Sequence, residues 1–294
     1  MAGFRVIVIN KRCKLESQLG SLIIRAEREE RIHIKEIETL IIESTAVSIT
    51  SALIIDLAAA DVNIIFCDRK HLPASSFIPI HAHFSTAKNI KEQVDWRKDL
   101  KIECRNQIIK EKIFQQALCL RDFGHEEKAH KLIEYKNNVI NGDEENYEAR
   151  AAKTYFMNLF GSNFSRGEAI NENFALNYGY TILMSTFARE ISACGYLTEL
   201  GIWHRGVENA FNLASDLMEP FRIVVDRLVA NMPEAEYENN TYKRYMLQLL
   251  YSKIKINNES HSLVPAIRIY LHRIFRFMRE EVQELFGIEI LSQE

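Results

Sequence analysis

The sequence predicts an α+β protein of two domains: a small β-rich N-terminal domain over residues 1–84 and a larger all-α domain over residues 85–294. Two observations carry this reading. Up to about residue 84, β-branched and apolar residues fall in short runs separated by charged or Pro-containing turns. From about Ser85 onward the apolar residues recur at helical spacing instead, and Pro is sparse. A chain of 294 residues is long enough to bury two cores.

Phe4–Asn10 opens as a strand, and Leu22–Ile24 and Ile32–Ile34 flank the charged EREE segment as a hairpin would. Thr39–Glu43 is a further short apolar run. Ser48 is placed as the N-cap of a helix over SITSALIIDLAAADV, which feeds a buried-type strand at Asn63–Cys67. Pro73 and Pro79 punctuate an irregular segment after it. These 84 residues carry ten basic and ten acidic side chains, so the domain is neutral. Trp96, Leu100, Cys104, Ile108 and Lys112 then step by four and start a long helix through Leu120. Helices follow at Glu126–Tyr135, Asn146–Phe160 with Gly161 as its stop, Ala169–Cys194, Pro220–Ala230, Tyr242–Ile254 and Pro265–Phe286. Asn231–Tyr242 is expected as an exposed loop.

Composition excludes several classes. With 37 basic and 40 acidic residues the net charge is −3, so no global field recruits nucleic acid, and any DNA or RNA contact must come from a local patch. Five scattered cysteines without a C-x-x-C pair fit reduced thiols rather than a disulfide or zinc framework. The apolar run in MAGFRVIVIN is too short for a signal peptide. Ser51–Cys67 is interrupted by Asp56, Asp61 and Asn63, so no membrane span is expected, and a soluble cytoplasmic protein is.

The chemical content concentrates in Tyr196–Val229. His204 sits in a turn flanked by Gly201 and Gly206, Asp216 follows, and Glu219 comes three residues later, before Pro220. Asp216 and Glu219 at i and i+3 share a face of a helical turn, over which His204 can fold. A neutral imidazole and carboxylate oxygens suit a divalent ion. By spacing alone the segment equally reads as a capped helix start, its acids complementing the dipole, and Glu148 taken alone reads as a solvated first-turn glutamate. GHEEKAH is not a zinc motif, because His125 and His130, five apart, lie about 140° apart around a helix. His81 and His83 point the same way on an extended chain but lack a third ligand. Neither a Gly-rich phosphate loop nor a G-x-S-x-G elbow occurs.

Three blocks taken together shift the balance between these alternatives: YEARAAKTYFMNLFGSNFSR (147–166), INENFALNYGYTILMSTFAREISACGYLTELGIWH (170–204) and FNLASDLMEPFRIVVDRLV (211–229). In order, content and interval they resemble the CRISPR-associated integrase of spacer acquisition, a metal-dependent DNA endonuclease. VNIIFCDRKHLPASSFIPI (62–80) is similar to the segment closing the β domain in members from systems with one large RNA-guided effector. The resemblance implies that Glu148, His204 and Glu219 hold Mg²⁺ or Mn²⁺, with Asp216 as a supporting or alternate ligand. It also implies a homodimer through the β domain, a small ferredoxin-like partner dimer, and double-stranded DNA, both fragment and leader–repeat, as substrate.

The chemistry agrees. A divalent ion between two carboxylates and an imidazole lowers the barrier to 3′-hydroxyl attack on a phosphodiester, and the nitrogen ligand should let manganese bind at least as well as magnesium. No Ser, Tyr or Cys in the blocks is paired with a base, so the nucleophile belongs to DNA, and Tyr178 is expected to pack or touch substrate. A non-catalytic helical DNA-binding scaffold is the competing reading, favoured only if one of the three ligands were replaced. Asp216→Ala is expected to be milder than loss of a ligand.

Overall fold

The computed structural model describes residues 3–69, 73–77, 85–238, 241–285 and 287–290; His81 and His83 lie outside them. The chain divides into two compact units, Met1–Phe84 and Ser85–Glu294.

The first unit runs β1 (Arg5–Ile9), β2 (Cys13–Gln18), β3 (Ser21–Arg25), β4 (Glu29–His33), β5 (Ile37–Ile42), β6 (Val47–Ile49), α1 (Ser51–Ala59), β7 (Asn63–Cys67) and β8 (Pro73–Ser76). One sheet has the order β1-β5-β7-β8, with β5 parallel to both β1 and β7, and the other the order β4-β3-β2-β6. Every residue of β5 is buried, as expected of a central parallel strand. Leu15, Leu22, Leu40, Leu53, Leu57 and Ile64 form one core beneath sheet and helix. The expected hairpin is β3–β4, although Glu29 and Glu30 belong to the strand rather than the turn. Ser48 is not a helix cap. The β-branched Val47 and Ile49 on either side draw it into β6, paired with β2, and Thr50 caps α1 by accepting the Leu53 N–H at 3.3 Å.

The second unit runs α2 (Thr86–Val94), α3 (Lys98–Asp122), α4 (Glu126–Asn138), α5 (Tyr147–Leu159), α6 (Asn171–Ala193), α7 (Asn212–Leu217), a 3₁₀ turn at Glu219–Phe221, α8 (Arg222–Ala230), α9 (Glu234–Glu238), α10 (Tyr242–Met246), a 3₁₀ stretch at Leu247–Tyr251, β9 (Lys253–Ile256), β10 (Glu259–Ser262), α11 (Leu263–Met278) and β11 (Glu289–Ile290). The α+β class therefore holds, but this unit is helical rather than all-helical. Residues expected to continue a helix to Ile254 form part of a sheet ordered β10-β9-β11. The alternation in KIKI favours a strand, and Asn257 and Asn258, both at positive φ (53° and 66°), turn it into a hairpin. Trp96 precedes α3 instead of starting it, and stacks near Tyr196 and Phe275. The expected loop 231–242 contains α9, and α11 ends at Met278. No helix among the described residues is long and apolar enough to cross a membrane.

α6 is the axis of this core: Leu176, Leu183, Phe187 and Ile191 are inaccessible along it. Phe187 meets Phe221 edge-on at 5.3 Å, and Phe221 meets Tyr270 of α11 at 5.1 Å. This aromatic cluster pins the Glu219–Phe221 turn from beneath, which fixes where Glu219 emerges.

Candidate active site

Elements of the second unit from α3 to α8 build the site. Glu148 stands in the first turn of α5. The start of that helix is set by Asp143, whose Oδ1 and Oδ2 accept the N–H groups of Tyr147 (2.8 Å) and Glu148 (2.9 Å). Asn146 enters with φ 58°, a conformation its short polar side chain tolerates. Glu219 opens the turn that Pro220 stiffens, and its side chain is nearly inaccessible.

Lys112, on α3, joins these two acids. Its Nζ donates to Glu148 Oε1 at 2.6 Å and lies 2.6 Å from Glu219 Oε2. The second contact is an ion pair off the angle of a hydrogen bond, so Oε2 is buried without an aligned donor. Arg222 Nη2 takes the other oxygen of Glu219 at 3.0 Å. Burial opposes the charges of Lys112 and Glu219, but their opposite charges win. Lys112 is pushed down by burial and held above its ordinary range by Glu219 and Glu148. The Glu219 carboxyl is pushed up by burial and held below its range by Lys112 and Arg222.

His204 is placed by Asp216 of α7, whose carboxylate is wholly inaccessible. Asp216 Oδ1 is 2.5 Å from His204 Nδ1 and accepts the His204 N–H at 3.2 Å, while Oδ2 accepts Ile202 N–H at 2.5 Å and Trp203 N–H at 3.1 Å. Gly201 lets the loop pass this close, since a Cβ there would press on the His204 carbonyl oxygen and come within 2.9 Å of Asp216 Oδ2. The hydrogen bond to Asp216 raises the His204 pKa against partial burial, with smaller help from Glu219 and Glu148. Burial pushes the Asp216 carboxyl up, while the imidazole and loop N–H groups hold it back. With Nδ1 engaged, Nε2 is the nitrogen available to a ligand.

The four candidate residues thus fall into two linked pairs, Glu148 with Glu219 through Lys112 and His204 with Asp216. Glu148 is an ion-paired, mostly covered side chain rather than a solvated helix-start glutamate. Among the described residues, no three His, Cys, Asp or Glu side chains converge closely enough to hold a metal ion. Tyr178 is buried and packs edge-on against Tyr242 at 6.2 Å. Sequence reasoning missed Lys112 as a site residue, although it ends the four-residue stepping of Leu100, Cys104 and Ile108. A lysine closing an apolar stripe was the available signal.

A family profile described as CRISPR associated protein Cas1 matches residues 6–244. The chain belongs to the Cas1 family. It is 32% identical over 270 residues to the CRISPR-associated endonuclease Cas1 of Neisseria meningitidis serogroup C (strain 8013), covering 90% of this chain and 88% of that one. It is 27% identical to CRISPR-associated endonuclease Cas1 1 of Francisella tularensis subsp. novicida (strain U112), covering 91% of this chain and 90% of that one. Among solved structures, a casposase bound to integration product superposes with a TM-score of 0.74 at 17% identity, covering 96% of this chain and 92% of that one. A Cas1 protein from Thermotoga maritima superposes with a TM-score of 0.73 at 16% identity, covering 99% and 100%. At such identities the structural likeness carries the fold, and the two-part α+β architecture is the Cas1 architecture.

Proposed function

We propose that the chain is a divalent-metal-dependent DNA endonuclease and integrase of CRISPR adaptation, joining short DNA fragments into the CRISPR array in the cytoplasm. The observation that carries this reading is the meeting of Glu148 and Glu219 on a single ammonium, with His204 held by a buried aspartate and raised in pKa in part by both acids, in a Cas1-family chain. Support for the joining step comes from the casposase of like fold, which is described as bound to its integration product.

The donor chemistry suits a divalent cation, although among the described residues the three side chains do not converge on one point. Two carboxylates from separate elements already concentrate positive charge at one point, where the Lys112 ammonium lies, and Glu219 Oε2 is buried without an aligned donor. Glu148, Glu219 and His204 Nε2 are the oxygen and nitrogen donors that Mg²⁺ or Mn²⁺ accepts. When bound, the metal supplies Lewis-acid stabilisation of charge on the phosphoryl group. The chain itself does the positioning. Asp216 keeps the His204 proton on Nδ1 and aims the ring, and Arg222 and Lys112 balance the charge of the acids. The Phe187–Phe221–Tyr270 cluster keeps the Glu219 turn rigid. Asp216, fully engaged and inaccessible, is a positioning group in this reading and not an alternate ligand.

A homodimer formed through residues 1–84 and a Cas2 partner complete the proposed assembly; a related structure is described as a Cas6-RT-Cas1–Cas2 complex. The test gives the protein, a Cas2 partner and Mn²⁺ a labelled short duplex and a supercoiled repeat-bearing plasmid. Joining of 3′-hydroxyl ends, none of 3′-phosphate ends, and loss in Glu148→Gln, His204→Ala and Glu219→Gln are expected. Full joining by His204→Ala, or equal joining of both kinds of end, would overturn the reading.

A further inference from the structure

We infer that the chain binds a buried water beside the Glu219 turn, and that Gln116 acts through this water as a positioning residue for Glu219. A chamber of about 70 Å³ lies there, walled by side chains from α3, α5, α6, α8 and the turn itself. Gln116 of α3 lines it one residue-turn beyond Lys112, which lines it too.

Most polar groups of this wall are engaged elsewhere. Tyr180 donates its O–H to Asp226 Oδ1, Arg166 donates to Asn173 and Asn177 of α6, and Lys112 Nζ donates to Glu148 Oε1. Arg222 reaches Glu219 Oε1 through Nη2, and its guanidinium lies over the Tyr180 ring at 4.8 Å, which holds the plane in place. Three atoms are left. Gln116 Oε1, Glu219 Oε2 and Arg222 Nε are all buried and, among the described residues, have no hydrogen-bond partner. The Gln116 and Glu219 residues are only 4% and 5% exposed, so bulk solvent does not serve them. Buried polar groups are rarely left this way, and three on the wall of one chamber point to a common partner.

Size, charge and hydrogen-bond count select that partner. A single buried water needs roughly 10–15 Å³ of such space, whereas sites for small organic molecules run to about 300–1,000 Å³. A cation in the chamber would face Lys112, Arg166 and Arg222, and an anion would face Glu219 and Asp226. The ligand is therefore small and neutral. The unmet groups are two acceptors and one donor, and a water that donates to Gln116 Oε1 and Glu219 Oε2 while accepting from Arg222 Nε satisfies all three. It also gives Glu219 Oε2 the aligned donor that the Lys112 ion pair does not supply. Gln116 thereby fixes the carboxylate plane of Glu219 from α3. Groups that orient a ligating carboxylate from outside commonly change metal affinity about 10–100-fold when lost. The effect on metal binding rests on the proposed function, but the water itself does not.

The test uses the full-length protein and begins with a high-resolution crystal structure grown in EDTA. Density for a water within hydrogen-bond distance of Gln116 Oε1, Glu219 Oε2 and Arg222 Nε is expected, and a dry chamber would overturn the inference whatever any variant does. Gln116→Leu removes the acceptor and fills the chamber with an apolar side chain. Its affinity for Mn²⁺, read from the electron paramagnetic resonance signal of the free ion, should fall at least about 10-fold. DNA joining by the same variant should need correspondingly more Mn²⁺ but approach the wild-type rate at saturation. Gln116→Asn, which keeps an acceptor that a water can reach, should fall between the two. A lower melting temperature in Gln116→Leu with unchanged Mn²⁺ affinity would mean that the water serves packing alone, and the positioning role would fall. If Glu219→Gln leaves Mn²⁺ binding untouched while the water is present in the wild type, the proposed metal site falls and the water site stands.

Discussion

His204 Nδ1 lies 2.5 Å from Asp216 Oδ1, and the same buried carboxylate accepts three successive backbone N–H groups of the histidine's own loop. Asp216 therefore sets both the ring and the chain that carries it. Asp216→Ala leaves these donors without their buried acceptor, where each unsatisfied group costs about 1–3 kcal/mol. The resemblance, which makes Asp216 a supporting or alternate ligand, led to an expectation of a milder effect than loss of a ligand; the geometry argues for a severe one. We expect Asp216→Ala to lose roughly 3–5 kcal/mol in urea denaturation and to impair DNA joining as strongly as His204→Ala. Asp216→Asn, which keeps an acceptor, should fall between. Wild-type stability in Asp216→Ala would show that the loop is held by something else.

Lys112 separates two carboxylates that would otherwise repel, 2.6 Å from each. Lys112→Met removes the cation and keeps the stem's bulk. In EDTA the variant should be destabilised by about 3–5 kcal/mol, the usual consequence of breaking a buried ion pair from one side. Mn²⁺ should then raise its melting temperature by more than it raises that of the wild type, because no ammonium competes for the same oxygens. A smaller Mn²⁺ shift in the variant would mean that Lys112 helps to hold the metal position instead of occupying it.

The α+β class and the long helices were legible because their signals are local: β-branched runs before Ser85, four-residue stepping after it, and Gly161 stopping α5. His204 and Asp216 were legible as neighbours for the same reason, since only twelve residues of one loop and helix separate them. The junction of Glu148 with Glu219 is different. It depends on Lys112, which is 36 residues from Glu148 in sequence, and local spacing carries no information on a pairing of that range. The β9–β10 hairpin was missed through competition between periods. LQLLYSKIKI holds apolar residues at both helical and alternating spacing, and the Asn257–Asn258 turn decides between them.

Asp226 makes stability depend on pH with the sign opposite to that of most carboxylates. It is buried in α8, where burial pushes its carboxyl from 3.8 up to about 6, against the hydrogen bonds of Tyr180 and Tyr155 and the charges of Arg222 and Arg166. Between those two values the folded state binds more protons than the unfolded one. Stability from this group is therefore full below the unfolded value, falls as pH rises through the window, and stays reduced above it. A shift of about two units corresponds to roughly 3 kcal/mol. Asp226→Asn removes the titration while keeping an acceptor for Tyr180. Urea denaturation at about pH 4.5 and about pH 7 should show the variant gaining on the wild type at the higher pH. A constant difference between the two proteins would mean that Asp226 does not titrate in this range.

Gly179, in the middle of α6, tests how closely this helix must pack beneath the active-site turn. An alanine Cβ there would come 2.5 Å from Val225 Cγ1 and 2.6 Å from Met246 Cε. Met246 can swing its flexible end aside. Val225 is stiff at χ1 and belongs to α8, which begins at Arg222, directly after the Glu219 turn. Glycine to alanine in a helix ordinarily gains about 1 kcal/mol, whereas overpacking a filled core costs about 1–3 kcal/mol. We expect the clash to win, so that Gly179→Ala is destabilised by roughly 1–2 kcal/mol. The compensating change is Val225→Ala, which opens the space that the new methyl needs. In a double-mutant cycle by urea denaturation, Gly179→Ala/Val225→Ala should be more stable than the sum of its single changes, with a coupling of at least about 1 kcal/mol. Additive effects, or a Gly179→Ala protein more stable than wild type, would mean that α6 and α8 have room to spare at this contact.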